Sequence, residues 1–263
     1  MKYVVTGGSG FIGSNLVDKL LSEDHQVIIL DNLSTGNIDN LSKQARESFI
    51  YKDITMALPQ ELNRICEGAD GIFHMAASPN VQNSIENPVS TINSNLISTV
   101  KMLEVARKHN MKLVYSGSCS CYGDAIDIPT NENEKIKPLS PYAEVKRKEE
   151  IVLIKQSKIK YITLRFGTIS GFSKGMRFHT AVNKFCFNAI MKLPIPVWGK
   201  ALNLYRPYLS LKDAFKIIKF ILSKNFFPSE IFNILSENKT VKQILDIIKK
   251  NNNKIKIKYI NSK

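Results

Sequence analysis

A glycine turn near the start of the chain restricts the fold more than any other stretch. The run YVVTGGSGFIGSN begins at Tyr3. Tyr3 to Thr6 reads as a short buried strand, Gly7, Gly8 and Gly10 as a tight turn, and Phe11 onward as a helix that must approach the turn at Gly13. Only glycine supplies the positive φ of such a turn and lets backbone N–H groups touch a pyrophosphate, which then sits at the positive end of a helix. The spacing alone is a weak signal and also fits a turn that merely packs helix on strand. Here an amphipathic helix follows (Phe11, Ile12, Leu16, Leu20, Leu21), and a second strand, Gln26 to Leu30, ends on Asp31. That context predicts a phosphate cradle in a dinucleotide-binding unit. An acid at the tip of the second strand can accept both ribose hydroxyls of NAD and repel the 2′-phosphate of NADP. With no Arg or Lys between Asp31 and Lys43, the pattern favours NAD.

At 263 residues with 43% hydrophobic composition, the chain is long enough for one large domain or a large one plus a small one. Its apolar runs fall far short of a membrane span, and its first residues already belong to a strand, leaving no room for a signal peptide. Membrane association is not expected, and a cytoplasmic location is. Four cysteines (Cys66, Cys119, Cys121, Cys186) fit a reducing compartment and none has zinc-ligand spacing, so no metal is expected. Cys119 and Cys121, read as alternate residues of a strand, would share a face as small buried thiols rather than as a redox pair. The formal charge of +14 comes from lysines spread through the chain without interleaved aromatics, which argues against nucleic acid. A mild positive field would still draw in anionic cofactors and phosphate-bearing substrates.

Strand-like and helix-like segments alternate from there. Strands are expected near Phe49 to Lys52, Gly71 to Met75, Lys112 to Tyr115 and Lys160 to Phe166. Helices are expected near Pro59 to Cys66, Val89 to His109 and Pro141 to Gln156. This is the pattern of an α/β protein with a Rossmann-type doubly wound parallel sheet, its ligands beyond the carboxyl ends of the strands. Residues 1–167 would form the dinucleotide-binding domain. Residues 168–263, with amphipathic pieces at Thr180 to Met191, Ala214 to Leu222 and Val241 to Lys250, would form a small substrate-binding region with some segments returning to the sheet.

The strand Lys112 to Tyr115 runs directly into Ser116, Gly117 and Ser118, where chemistry is expected. Tyr142 and Lys146 stand four apart at the start of the next helix and so project from one face. An ammonium beside a phenol favours phenolate, which makes Tyr142 a general base, and a serine at a strand tip can hold the substrate alcohol. In an arbitrary helix this spacing would be surface decoration; after a complete dinucleotide fingerprint it becomes the leading assignment.

The ordered set TGGSGFIG, Asp31-Asn32-Leu33, Asp53-Ile54, His74-Met75-Ala76-Ala77, SGSCSCYG, PLSPYAEVK and Arg206-Pro207-Tyr208-Leu209 resembles the extended short-chain dehydrogenase/reductases, the NAD-dependent epimerase/dehydratase family acting on nucleotide sugars. DNLSTGN most resembles UDP-glucose 4-epimerase-like members. The resemblance implies that Gly7, Gly10 and Gly13 cradle the pyrophosphate of NAD, that Asp31 meets the adenosine ribose, that Asp53 and Ile54 meet the adenine, and that Phe11, Ile12 and Asn32 also bind the cofactor. Ala76 would line the nicotinamide side, Asn95 would lie near the cofactor, and Lys146 would also hold the nicotinamide ribose. Ser118, four before Tyr122, matches the catalytic Ser/Thr. Arg206 matches an arginine that grips the substrate diphosphate, and Trp198 an aromatic that stacks on the nucleotide base. The helices Val89 to His109 and Pro141 to Gln156 correspond to a pair that often forms a homodimer interface.

Three departures stand out. Dehydratases and decarboxylases of the family carry acidic residues after the catalytic Ser/Thr, where this chain has Cys119 and Ser120, so loss of water from the sugar is not expected. A common Arg-Tyr-Phe-Asn pattern appears as Arg165-Phe166-Gly167-Thr168, so Thr168 stands at a substrate-side Asn, and Arg177, His179 or Asn183 are candidate replacements. The chain also stops at Lys263, earlier than typical members, which suggests a compact branch or a shortened substrate region. The first expectation is therefore a UDP-sugar epimerase with tightly bound NAD, in which Tyr142, helped by Lys146 and Ser118, takes a proton from a sugar hydroxyl while hydride passes to NAD⁺ and later returns to the other face. The alternative is an NAD(P)-dependent nucleotide-sugar keto reductase or dehydrogenase. A silent dinucleotide sensor would have no need of the intact Ser118, Tyr142 and Lys146.

Overall fold

The fold follows from strands that are apolar on both faces. Val4, Leu30, Ile72 and Leu113 turn to one side of a sheet, Val5, Ile29, Phe73 and Val114 to the other, and each set is buried in its own helix-covered core. A computed structural model describes residues 1–123, 130–155, 158–252 and 254–260. Its first half runs β1 (Lys2–Thr6), α1 (Phe11–Leu21), β2 (Gln26–Asp31), α2 (Lys43–Arg46), β3 (Phe49–Tyr51), α3 (Pro59–Cys66), β4 (Gly71–His74), α4 (Val81–Glu86), α5 (Pro88–Ile92), α6 (Ser98–Lys108), β5 (Lys112–Ser118), α7 (Pro141–Ile154) and β6 (Tyr161–Phe166). There follow β7 (Thr168–Ser170), α8 (Ala181–Ile190), β8 (Ile195–Trp198), β9 (Tyr205–Ser210), α9 (Leu211–Ser223), β10 (Glu230–Ile234), β11 (Glu237–Thr240), α10 (Val241–Asn251) and β12 (Ile257–Ile260).

Seven parallel strands form the central sheet in the order β10-β6-β5-β4-β1-β2-β3. The order reverses between β1 and β4, which opens a crevice beyond their carboxyl ends, as expected of a doubly wound sheet. Against one face lie α1 and α9, against the other α3, α6 and α7. Two small sheets, β11-β9-β7 and β12-β8, stand beside it, with a core of their own around Phe185, Ile195, Val197, Tyr208, Ile244 and Leu245.

Most expected segments fall within a residue or two of the observed ones. The helix expected over Val89 to His109 is α5 and α6 joined by a π-helical turn, Asn93–Ile97. Gln156, the expected end of α7, lies outside the described residues. Cys119 and Cys121 are not strand neighbours: β5 ends at Ser118, whose side chain accepts the Ser120 N–H and starts a 3₁₀ turn, Cys119–Tyr122. Among the described residues no helix is long and apolar enough to cross a membrane.

Candidate active site

The crevice is a cleft of about 1450 Å³. At one end is the glycine turn. Gly7 has φ +66°, and a Cβ there would lie 2.7 Å from the Ala76 backbone nitrogen; a Cβ on Gly13 would collide with the Gly7 carbonyl. The turn is tied to Asp31, whose Oδ2 accepts the Ser9 N–H at 2.9 Å and whose Oδ1 accepts the Leu33 N–H at 2.8 Å. Each oxygen keeps further acceptor capacity, and Asp31 lines the cleft. Asp53 accepts from Asn32 Nδ2 at 2.8 Å and from the Thr55 N–H and hydroxyl at 2.8 and 2.7 Å. Burial alone would push the Asp53 carboxyl up, but these donors outweigh it and hold it below the ordinary range.

Ser118, Tyr142 and Lys146 line the same cleft. Helix α7 is started by Ser140, whose hydroxyl accepts the Ala143 N–H at 3.2 Å, with Pro141 at the first helical position. The Tyr142 N–H, an orphan of that first turn, is taken by Ser84 Oγ at 3.2 Å. Lys146 is 2% exposed; its Nζ donates to Tyr115 OH at 3.1 Å and to the Ser116 carbonyl at 3.0 Å, and Glu149 Oε2 lies 3.3 Å away. One residue further, Glu150 holds Arg165 of β6 in a two-pronged pair (Nε to Oε1 at 3.0 Å, Nη2 to Oε2 at 2.8 Å), pinning α7 to the sheet. Behind the wall His74 bridges Thr6 Oγ1 at 2.8 Å and Thr99 Oγ1 at 3.0 Å; burial, then the Lys146 charge, pushes it down to about 3, so it is neutral.

Beyond the triad, Thr168, Arg177, Trp198 and Arg206 line the far end. Trp198 is 64% exposed, a wall residue and not a core one. Burial draws the Arg177 guanidinium below its ordinary value, with the Tyr142 phenol acting against that shift. Cys119 and Ser120 also line the cleft, and burial, then Cys121, pushes the Cys119 thiol up to about 12, so it stays protonated.

Of the residues singled out in the sequence, Gly7, Gly10, Phe11, Ile12, Gly13, Asp31, Asn32, Asp53, Ile54 and Ala76 meet on the wall at the glycine-turn side, joined by the triad and the four distal residues. Asn95 and Asn183 stand behind it. Asn95, in the π-helical turn, accepts the Ser78 N–H at 2.6 Å and donates to the Ser78 carbonyl at 3.3 Å, fixing the loop after β4. Asn183 is consumed likewise: Oδ1 accepts the Gly171 N–H at 3.1 Å and Nδ2 donates to the Arg177 carbonyl at 3.0 Å. Sequence reasoning does not single out Glu149, Glu150, His74 and Thr99 as site residues. Their sequence signals are the place of His74 in the motif His74-Met75-Ala76-Ala77 and the position of the two glutamates three and four after Lys146.

The model of the NAD dependent epimerase/dehydratase family matches residues 3–234. The chain belongs to that family. Its members are nucleotide-sugar enzymes of the extended short-chain dehydrogenase/reductase class. A relative from Methanocaldococcus jannaschii, named "Putative UDP-glucose 4-epimerase", is 34% identical over 253 residues, covering 94% of this chain and 81% of the relative. The UDP-glucose 4-epimerase of Thermotoga maritima, solved with UDP-glucose, superposes with a TM-score of 0.88 at 28% identity, over 100% of this chain and 86% of that one. The UDP-glucose 4-epimerase of Thermus thermophilus, solved with NAD, gives 0.84 at 25% identity, over 99% and 86%.

Proposed function

We propose that this family member is a UDP-sugar epimerase that retains NAD and oxidises one ring hydroxyl transiently. The observation that carries the proposal is that Ser118, Tyr142 and Lys146 line the same cleft as the glycine turn and the basic residues Arg177, Lys184 and Arg206. The glycine turn fits NAD: a side chain at Gly7 would collide with the Ala76 backbone and one at Gly13 with the Gly7 carbonyl, so only glycine lets this turn close tightly enough to offer its backbone N–H groups to a pyrophosphate, and Asp31 has lone pairs left for ribose hydroxyls. Residues 1–167 would serve the dinucleotide and 168–263 the sugar. When bound, NAD supplies a reversible hydride acceptor.

In this mechanism Ser118 holds the sugar hydroxyl, Tyr142 takes its proton and returns it, and the Lys146 ammonium favours the phenolate that must form. Arg206 grips the diphosphate and Trp198 stacks on the base. Among the described lining residues the far end carries Arg177, Lys184 and Arg206 without a carboxylate, which suits a doubly charged diphosphate. The Cys119 thiol and Ser120 hydroxyl after Ser118 offer no acid to expel water, which favours epimerisation over dehydration. A homodimer through α4 to α7 and a cytoplasmic location complete the proposal, the latter in keeping with four unpaired cysteines.

The test is to denature purified protein, identify any released dinucleotide, and incubate native protein with UDP-sugars. Stoichiometric NAD with interconversion and no net NADH supports the epimerase; protein that arrives empty and turns over only with added NADH or NADPH and a keto-sugar is a reductase. Tyr142→Phe is expected to lose about 10²- to 10⁴-fold in turnover while keeping its NAD. Full turnover by that variant would remove Tyr142 as the base.

A further inference from the structure

Glu149 has no solvent exposure, although taking a carboxylate out of water is costly unless it is paired and hydrogen-bonded. Its Oε2 faces Lys146 Nζ, and its Oε1 accepts the Thr99 hydroxyl at 2.6 Å. With the Thr99 hydrogen committed to the carboxylate, the Thr99 oxygen must accept from His74 Nε2. That leaves His74 Nδ1 to accept the Thr6 hydroxyl, whose oxygen in turn accepts the Ala76 N–H at 3.2 Å. Each hydrogen in this buried chain therefore points one way, from the loop at the nicotinamide side of the cleft toward Glu149.

We propose that Glu149 is a positioning residue for Lys146, holding the ammonium in place and offsetting part of its charge, and so setting the pH at which Tyr142 acts as a base. This rests on the assignment of Tyr142 and Lys146 made above. The charged and titratable groups facing the pair are Tyr142 and Glu150 on α7, Tyr115 on β5, His74 on β4, and Arg177, which faces Tyr142 from the segment before α8. His74 and the deeply buried Tyr115 are neutral, and Glu150 is matched by Arg165. Among the described residues, Glu149 is thus the carboxylate left to balance Lys146.

The experiment is the pH dependence of kcat/KM for sugar interconversion by the full-length, NAD-loaded protein as wild type, Glu149→Gln and Glu149→Asp. Loss of the negative charge should move the rising limb of the profile to lower pH by about one unit, because the phenolate then feels the full ammonium. Glu149→Asp keeps the charge and should leave the limb near its wild-type position even with a lower Tm. Where Glu149→Gln does not fold, Glu149→Ser serves, since a small polar side chain leaves room for a water to take up the Lys146 and Thr99 donors. A neutral variant whose limb coincides with wild type, with only kcat or Tm reduced, would overturn the proposal. If no nucleotide sugar turns over, the epimerase reading falls by itself. Ultraviolet difference titration of the Tyr142 phenol, against Tyr142→Phe and with and without Glu149→Gln, then still shows whether the carboxylate sets its ionisation.

Discussion

The fold changes the chemistry of His74 strongly. It is folded neutral, with its proton affinity pushed from the ordinary 6.5 down to about 3. The unfolded chain binds a proton below 6.5 that the native state refuses, so this contribution is complete above 6.5 and is lost as pH falls toward 3. Between pH 7 and pH 5 the loss should be about 2 kcal/mol from this side chain. Urea unfolding of wild type and His74→Gln at both values checks it: the variant should be less stable at pH 7, and the gap should narrow at pH 5. That Tyr142 and Lys146 share one face of α7 was legible in the sequence, because an i, i+4 pair is a local fact. Glu149 was not, because β5 and α6, distant in sequence, decide that a glutamate on α7 is buried. Asn183 misled for the converse reason: a polar residue near a pocket looks like a ligand contact until the fold buries it and turns both ends of its amide to backbone groups.

At the scale of elements, sequence periodicity located the βαβ units, since strands buried on both faces and one-sided helices carry different repeats. It missed the π-helical turn at Asn93–Ile97, because one inserted residue scarcely disturbs a helical repeat. That turn aims Asn95 at the loop after β4. Asn95→Ala would release both bonds to Ser78, and NAD should then bind about tenfold more weakly, measured by calorimetry on protein stripped of cofactor. Circular dichroism should remain that of wild type, because the remaining turns of α5 and α6 are untouched. An unchanged affinity would mean that the loop is held by its other contacts.

For the whole molecule, the exposed apolar residues of α4 and α5 (Val81, Ile85, Val89, Ile92) and of α7 (Ile151, Ile154) belong to helices packed against one another. An unpartnered surface of this kind suits a second copy of the chain. Ile85→Glu should convert a dimer to a folded monomer in sedimentation velocity; a wild type that sediments as a monomer would remove the proposed dimer. The sheet carries a different consequence. After β6 the chain runs through β7, α8, β8, β9 and α9 before β10 returns to pair with β6. During synthesis on a ribosome, at roughly 5–20 residues per second, β6 is therefore an open edge for several seconds. Until Glu230 to Ile234 emerge, the nascent chain offers a hydrophobic strand edge to any neighbour, the stage at which misassembly is most open to it.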